Sequence, residues 1–303
     1  MRIKKIGTRG VHFVFEDGES SLPGELGVYL ICSDDRVYLC DTHLGPKYME
    51  PVKQYLPEHD LAEKQVILFN SHADWDHIWG NSAFQNALII GHTTCRTRIR
   101  ERGLYDLERY RGIYNDGTIE IKLPNLVFDL TMEFTDDKVA FIYAPGHTAC
   151  SAICYDKEDL VLFVGDLVEY PVPVLSHYDL EGYIKTLEYI KNLPAATIIS
   201  SHSGIVDTAL IDANIKYIKN ILNPSDPEDE DYQLFTKHSL VLKYEEMFRE
   251  KLGHAFDYRC YKRDFWHWFG NGYHDLSNER RYLKEISFSD LEAALKAYLQ
   301  NCD

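Results

Sequence analysis

Seven side chains of the types that bind metal ions stand directly after apolar runs of the sequence. In chain order they are His72, Asp74, Asp76, His77, His147, Asp166 and His202. The first four follow the run Val66–Phe69, and each of the other three follows a further apolar run. Such runs are typical of buried strands, and open α/β sheets carry their sites where strands end. The pattern therefore predicts an α/β fold whose strand ends converge on a site for two adjacent metal ions.

The tight cluster at residues 72–77 can supply two positions in space. In an extended backbone alternate side chains point to the same side, which groups His72 with Asp74. A chain that turns into a helix at Asp76 moves Asp76 and His77 to a neighbouring point. We therefore expect this one segment to contribute to both metal sites.

The later candidates share one arrangement, in which a strand-like run leads into a polar residue. The runs are Val139–Ala144 before His147, Leu160–Gly165 before Asp166, and Ala196–Ser201 before His202. Gly146 directly precedes His147, and a glycine there predicts that the backbone approaches a ligand closely.

These residues together resemble the metallo-β-lactamase superfamily. Its signature is a His-x-His-x-Asp-His cluster followed by a Gly-His, a Gly-Asp and a late His. The resemblance covers roughly the first two-thirds of the chain. It includes Leu39–Thr42, which is similar to the family's buried Asp-Thr turn beneath the metals, and Ala144–Ser151, which is similar to its Pro-Gly-His-Thr turn. The implied fold is a four-layer αββα sandwich.

The resemblance also implies how the ligands divide. One metal would take His72, Asp74 and His147, the other Asp76, His77 and His202, with Asp166 bridging. A water between two divalent cations has a lowered pKa and becomes a nucleophile at neutral pH. The implied activity is that of a binuclear metallo-hydrolase acting on a small-molecule ester, lactone, thioester or related substrate.

Three further residues are candidates for roles at this site. Asp76 is a catalytic candidate as well as a ligand. Tyr170 could donate a hydrogen bond to a developing oxyanion, a role seen in lactonases that resemble this fold. Asp41 is expected to orient a ligand rather than to catalyse.

Position 74 departs from the family pattern, because the hydrolases usually carry histidine there. A hard oxygen ligand shifts preference from zinc toward manganese or iron. A carboxylate is also similar to the flavodiiron branch, which has glutamate there and reduces dioxygen or nitric oxide. That chemistry needs an electron donor, and no glycine-rich phosphate loop follows His202. A flavodiiron-like di-iron redox protein with a separate donor, or a metal-binding module without catalysis, is therefore the alternative.

Charge argues against a nuclease. The formal net charge is −16, whereas proteins that hold nucleic acids neutralise phosphates with basic side chains. The basic group Arg96, Arg98, Arg100 and Arg102 is interrupted by Glu101 and followed by Asp106, so a solvated helix face is the favoured interpretation. A small-molecule substrate is expected instead.

Localisation is predicted from what the sequence lacks. No apolar run approaches membrane-spanning length, and the start Met1–Ile6 lacks the apolar stretch of a secretory signal. A cytoplasmic protein without membrane contact is expected.

Seven cysteines agree with a reducing compartment, because their number is odd and their spacing shows no disulfide framework. Cys150 and Cys154 lie close to His147 in sequence and could form a thiolate pair for a metal. Core packing is the favoured interpretation of both.

The chain is predicted to divide into a metallo-β-lactamase-like domain at 1–222 and an acidic linker with a mostly helical extension at 223–303. In the first part the predicted strands are 11–15, 26–32, 36–40, 125–130 and 139–143, the fourth opening the second half, and the predicted helices are 47–56, 180–193 and 209–222. The linker 223–231 carries two prolines and five acidic residues. Helices are predicted at 238–252 and 288–299.

The extension also contains an unusually aromatic stretch at 256–269. Its favoured interpretation is packing onto the main domain or onto a second subunit, which would give a homo-oligomer, over a lid that faces substrate.

Overall fold

A computed structural model describes residues 1–16, 24–110, 114, 120–226, 229–262 and 283–300. The chain separates into two compact units. The first contains Met1–Leu175 and Glu181–Ile215, and the second contains Ser176–Leu180 and Lys216–Asp303.

Among the described residues, the first unit contains a sheet of seven strands in sequential order. They are β1 (Arg2–Ile6), β2 (Gly10–Phe15), β3 (Leu26–Cys32), β4 (Arg36–Cys40), β5 (Gln65–Asn70), β6 (Leu88–His92) and β7 (Leu126–Phe128). Strands β1 to β4 are antiparallel, and β4 to β7 are parallel. The carboxyl ends of β4, β5 and β6 therefore lie at the same edge.

A second sheet, again counted over the described part of the chain, has six strands in the order β13-β12-β11-β10-β9-β8. They are β8 (Thr131–Phe134), β9 (Val139–Tyr143), β10 (Ala152–Asp156), β11 (Val161–Phe163), β12 (Thr197–Ser200) and β13 (Gly204–Val206). Strands β11 and β12 are parallel, whereas the other pairs are antiparallel.

Alternation along the strands explains why the two sheets stack. In β3, Val28 and Leu30 face one apolar cluster, while Tyr29 and Ile31 face another. The second cluster also contains apolar residues of β9, β10 and β11, and the rings of Phe69 and Phe141 stack across it at 4.6 Å. Period-2 patterns with apolar residues on both faces require cover on both sides. Each sheet is therefore buried between its partner sheet and a helical layer.

Helices cover the outer faces. They are α1 (Pro46–Glu58), α2 (Trp75–Ile78), α3 (Thr93–Tyr110), α4 (Leu180–Asn192) and α5 (Thr208–Leu222). Helix α1 buries Met49, Val52, Tyr55 and Leu56, which share one face at helical spacing. Tyr183, Leu187 and Ile190 of α4 are fully buried. The predicted αββα sandwich is confirmed.

The second unit is helical in its described part. Its main elements are α6 (Glu230–Leu252) and α7 (Phe288–Gln300). Phe248 of α6 contacts Tyr261 and Tyr298, with ring centroids 5.3 and 4.9 Å away. Phe256 and Tyr258 are also buried here. The described part of the predicted aromatic stretch therefore packs within its own unit, and residues 263–269 lie outside the described residues.

Two predicted boundaries were wrong. The strand expected at 125–130 to open the second half is β7, which pairs with β6 and belongs to the first sheet. Helix α6 begins at Glu230, inside the predicted linker, because the Asp229 side chain accepts the Tyr232 N–H and caps the helix. An acidic residue that ends a linker can also start a helix.

In the described part of the chain, no helix combines the length and the apolar character needed to cross a bilayer.

Candidate metal centre

The predicted residues meet where strands of both sheets end. His72 follows β5, His147 follows β9, Asp166 follows β11 and His202 follows β12. The Ala152 N–H of the second sheet donates to Ser71 O of the first at 2.8 Å, and the Ser201 N–H donates to Gly165 O at 3.0 Å. These backbone bonds hold the loop ends together, so the site forms at the junction of the two sheets.

A first triad consists of His72, Asp74 and His147. Asp74 Oδ2 lies 3.6 Å from His72 Nε2 and 3.4 Å from His147 Nε2. Both histidines are buried, whereas the Asp74 side chain is 24% exposed. The triad is thus open to solvent on its carboxylate side.

A second triad consists of Asp76, His77 and His202. Asp76 Oδ2 lies 3.6 Å from His77 Nε2 and 3.3 Å from His202 Nε2. The Asp74 C=O accepts the His77 N–H at 3.1 Å, which begins the single turn of α2. This turn separates Asp76 and His77 from the preceding pair, as the sequence predicts.

Asp166 lies between the triads. Its Oδ2 is 3.6 and 3.8 Å from the Nε2 atoms of His72 and His147, and 3.1 and 3.4 Å from those of His77 and His202. One oxygen within reach of two histidines from each triad has the geometry of a bridging ligand.

The donor atoms fit divalent metal ions. Ligands about 2.0–2.1 Å from a tetrahedral metal lie about 3.3–3.4 Å from one another, close to the separations within each triad. His72 Nε2, His77 Nε2 and Asp166 Oδ1 are buried and form no hydrogen bond with any described residue. Although His77 Nε2 is near Asp166 Oδ2, it is not aligned for a hydrogen bond with it. Buried polar atoms left in this way are what an absent ion would satisfy.

Hydrogen bonds at the opposite ring nitrogens fix the histidine orientations. His77 Nδ1 donates to Asp41 Oδ2 at 2.8 Å. Ser71 Oγ donates to Asp41 Oδ2 at 2.7 Å and therefore accepts from His72 Nδ1 at 2.9 Å. His147 Nδ1 donates to Val174 O at 2.9 Å. In each case the proton lies on Nδ1, so the lone pair of Nε2 points toward the site. Asp41 therefore fixes the ring of His77 directly and the ring of His72 through Ser71.

The Asp41 turn is held by an amide network. Asn70 and Asn81 exchange side-chain hydrogen bonds of 3.1 and 2.9 Å, and Thr42 Oγ1 donates to Asn81 at 2.9 Å. Asp41 and His43 both have φ near +60°, a conformation that costs free energy in residues other than glycine. The network keeps this turn in place beneath the second triad.

The sequence analysis did not predict the hydrogen bonds of Glu169 and Asn214 that hold the loop behind His147. The Glu169 carboxylate accepts the Val174 N–H at 2.7 Å, while the Asn214 side chain exchanges hydrogen bonds of 3.0 and 2.9 Å with the Glu169 backbone. Burial, together with the nearby Asp166 charge, raises the pKa of the Glu169 carboxyl. No local motif marks these residues, because they meet only after the loop beyond Asp166 folds back.

The carboxylates and histidines shift one another's ionisation. Burial alone would raise the pKa of Asp74, but the hydrogen bond from His147 and the adjacent imidazole of His72 hold that pKa well below its ordinary value. Burial alone would lower the pKa of His147, but Asp74 and Asp166 raise that pKa to about 10. The negative charges of Asp166 and Asp76 likewise raise the pKa of His77 well above normal. The raised pKa values of His77, His147 and His202 show that the carboxylates favour positive charge at these positions, which a metal ion would supply in place of protons.

Tyr170 is not brought to the triads by any hydrogen bond. Its side chain is 78% exposed, and its backbone N–H donates to Ser203 Oγ. Its hydroxyl forms no hydrogen bond with the described residues.

The tryptophans beside the cluster differ. Trp79 is fully buried, whereas half-buried Trp75 stacks with Tyr110 and Tyr114, with ring centroids 4.9 and 4.7 Å away. Trp75 is therefore part of an aromatic cluster with Tyr110 and Tyr114, whereas Trp79 belongs to the core.

Gly146 has a packing role that the sequence analysis did not predict. A Cβ there would lie 2.3 Å from the Tyr183 ring, so the absence of a side chain admits this ring of α4. Gly165 has φ +54°, and a Cβ would lie 2.7 Å from Ser71 Oγ. This second glycine permits the turn into Asp166.

Cys150 and Cys154 are both buried and lie in different apolar clusters. Their location agrees with the favoured interpretation of core packing.

Comparison with known proteins agrees with this architecture. The family model of the metallo-β-lactamase superfamily matches residues 28–202. The chain therefore belongs to the metallo-β-lactamase superfamily, whose sites hold divalent metal ions.

Two curated relatives are hydroxyacylglutathione hydrolases from Synechococcus strains. One is 28% identical over 155 residues, and the other is 26% identical over 159 residues. Each alignment covers 51% of this chain and 54% of the relative, so the chain spans about half the length of the curated relatives it matches.

Solved structures show the same fold at low identity. A metallo-β-lactamase from Pontibacter korlensis matches with a TM-score of 0.58 and 16% identity, covering 72% of this chain and 99% of that protein. A metallo-β-lactamase from Hirschia baltica matches with a TM-score of 0.54 and 15% identity, covering 72% of this chain and 96% of that protein.

Proposed function

We propose that this protein is a metal-dependent hydrolase that cleaves a small-molecule thioester, with esters and lactones as related substrates. The observation that carries the proposal is the shared position of Asp166 Oδ2, which lies within 3.8 Å of four histidine Nε2 atoms from two triads. We infer that His72, Asp74 and His147 hold one ion, that Asp76, His77 and His202 hold a second, and that Asp166 bridges them.

A pair of divalent cations would lower the pKa of a water molecule and polarise a substrate carbonyl. The residues of the chain would then hold the cations and orient the histidine rings. Asp41 and Ser71 fix the ring orientations of His77 and His72, while Glu169 fixes the loop whose Val174 carbonyl orients His147. Asp76 is the proposed catalytic carboxylate of the second triad, and Tyr170 remains the proposed donor to a developing oxyanion.

The thioester class is supported by the hydroxyacylglutathione hydrolases that this chain resembles. The net charge of −16 favours a small substrate over a nucleic acid, since a polyanion would be repelled. Trp75, partly exposed beside Asp74 and Asp76, offers an apolar wall for an acyl group.

Metal identity follows from the donor set. Each triad has two imidazoles and one carboxylate, and Asp166 adds an oxygen. We propose zinc, manganese or iron as occupants, with the oxygen of Asp74 favouring the latter two over an all-imidazole position.

The test is elemental analysis of protein purified without added metal, a visible spectrum, and hydrolysis assays with a hydroxyacyl-glutathione thioester, an aryl ester, a lactone and a β-lactam. We expect two ions per chain, no colour and fastest cleavage of the thioester, lost on chelation and restored by metal.

Two outcomes would contradict the proposal. Two irons with charge-transfer bands and no hydrolysis would favour the redox alternative. Two colourless ions with no hydrolysis of any substrate would favour a metal-binding module without catalysis.

The remaining proposals concern organisation. We propose a catalytic domain at 1–222 with an extension at 223–303, a cytoplasmic location, and a homo-oligomer formed through the extension. Light scattering of the purified protein tests the last of these.

A further inference from the structure

The helical unit contains an open cavity of about 390 Å³, separate from the residues of the metal triads. Its lining residues are Tyr232, Gln233, Thr236, Lys237, Ser287 and Phe288. The first four come from the start of α6, and the last two come from the start of α7. The cavity is therefore built from the beginnings of two helices.

Lys237 is the unusual residue of this lining. Its relative exposure is only 8%, whereas lysine is seldom buried without a partner. Among the described residues, no carboxylate lies within ion-pair distance of its ammonium group, and no acceptor hydrogen-bonds to it. Because its ammonium nitrogen is not among the fully buried polar atoms, the buried part of Lys237 is its aliphatic stem, and the ammonium reaches the cavity without a counter-charge.

Other groups near the cavity are already engaged. The Thr236 hydroxyl donates to Tyr232 O at 2.8 Å. Ser287 Oγ accepts the Asp290 N–H at 3.1 Å and donates to the Asp290 carboxylate at 2.6 Å. The Glu230 carboxylate lies 3.1 Å from Lys284 Nζ. The protein thus satisfies these polar groups internally and leaves the Lys237 ammonium to the cavity.

The geometry points to a binding site for a small organic carboxylate with an aromatic or apolar body. One ammonium without a second basic group in the lining matches a single negative charge better than a phosphate dianion. Tyr232 and Phe288, the latter 42% exposed, provide aromatic walls beside that charge. A hydrogen bond between ions is stronger than one between neutral groups, so the lysine dominates recognition. This site is additional to the proposed hydrolase centre.

Calorimetric titration of the full-length, metal-loaded protein with benzoate tests the site, with benzamide and inorganic phosphate as comparison probes. We expect saturable benzoate binding, with benzamide and phosphate each about tenfold weaker or more. Lys237→Met should weaken benzoate by about tenfold or more. Lys243→Met, which removes an exposed lysine of the same helix, is the matched control and should bind benzoate as the parent does.

A second variant keeps the test independent of how Lys237→Met folds. Phe288→Ala alters an exposed wall and leaves the ammonium in place, and it should weaken benzoate several-fold. The site is refuted if the parent protein shows no saturable benzoate binding. Unchanged affinity in both variants, or equal binding of benzamide and benzoate, also refutes it. Hydrolase activity does not enter these readouts, so the two proposals can fail separately.

Discussion

The two triads have the same donors but different surroundings. Each combines two histidines with one aspartate. Behind the second triad, the Asp41 side chain accepts directly from His77, whereas the histidines of the first triad donate to a serine hydroxyl and to the Val174 carbonyl. A carboxylate behind a histidine raises the basicity of that ligand. Matching ligand sets therefore need not bind metal equally, and we expect the second triad to bind more tightly.

The largest expected effect comes from removing the residue that the triads share. Asp166→Ala should abolish tight binding of both ions, because Asp166 Oδ2 lies beside the histidines of both triads and is the proposed shared ligand. Metal stoichiometry by elemental analysis measures this. His147→Ala is the control and should lose one ion. Retention of two ions by Asp166→Ala would exclude the bridging role.

The next largest expected effect is a loss of metal affinity at the second triad that exceeds the loss at the first. Asp41→Asn keeps the side-chain shape and a residue type that tolerates positive φ, but it removes the charge behind His77. We expect metal affinity at the second triad to fall about 10–100-fold, with a smaller change at the first. Competitive chelator titration measures both steps.

The control for Asp41→Asn is Asp137→Asn, which alters a buried carboxylate held by Ser33, Tyr38 and Arg36. If both steps of the titration weaken equally, the proposed difference between the triads is wrong.

A smaller effect concerns the pKa of His12. The histidines of the triads lie beside carboxylates, whereas the charged neighbours of His12 are basic. Burial and the nearby Lys4 and Arg2 lower the pKa of His12 to about 4. The unfolded chain binds this proton at a higher pH than the folded chain, so His12 stabilises the fold above pH 6.5 and loses that contribution as the pH falls toward 4.

His12→Gln should remove this dependence. Between pH 6 and pH 5, the parent should lose about 1 kcal/mol more unfolding free energy than the variant. Urea denaturation at each pH measures the difference. His254→Gln, at an exposed position, is the control. Equal slopes for the parent and His12→Gln would show that burial does not exclude the proton.

The smallest expected effect concerns metal choice. Asp74→His places a third imidazole in the first triad and should raise the preference of that triad for zinc over manganese several-fold. Competitive loading followed by elemental analysis measures the ratio. The second triad keeps its own donors, so its ratio serves as the internal reference. An unchanged ratio at the first triad would remove Asp74 as the cause of metal preference.

Much of the fold could be predicted because its signals are local. Strands β3, β4 and β9 were predicted with their observed bounds, since period-2 apolar patterns and flanking polar residues mark them. Strand β7 was misassigned because pairing partners are not encoded locally. Likewise, nothing near Gly146 indicates that the Tyr183 ring lies against it.

The sequence by itself determined the order of candidate ligands along the chain, because each stands at a strand end and strand ends are locally encoded. The division of residues 72–77 between two positions also followed from backbone geometry. Only the tertiary structure decided that one oxygen of Asp166 faces both triads, that Glu169 and Asn214 support His147, and that Lys237 faces a cavity. These contacts join residues distant in sequence, and only packing of the sheets and helices brings them within a few ångströms.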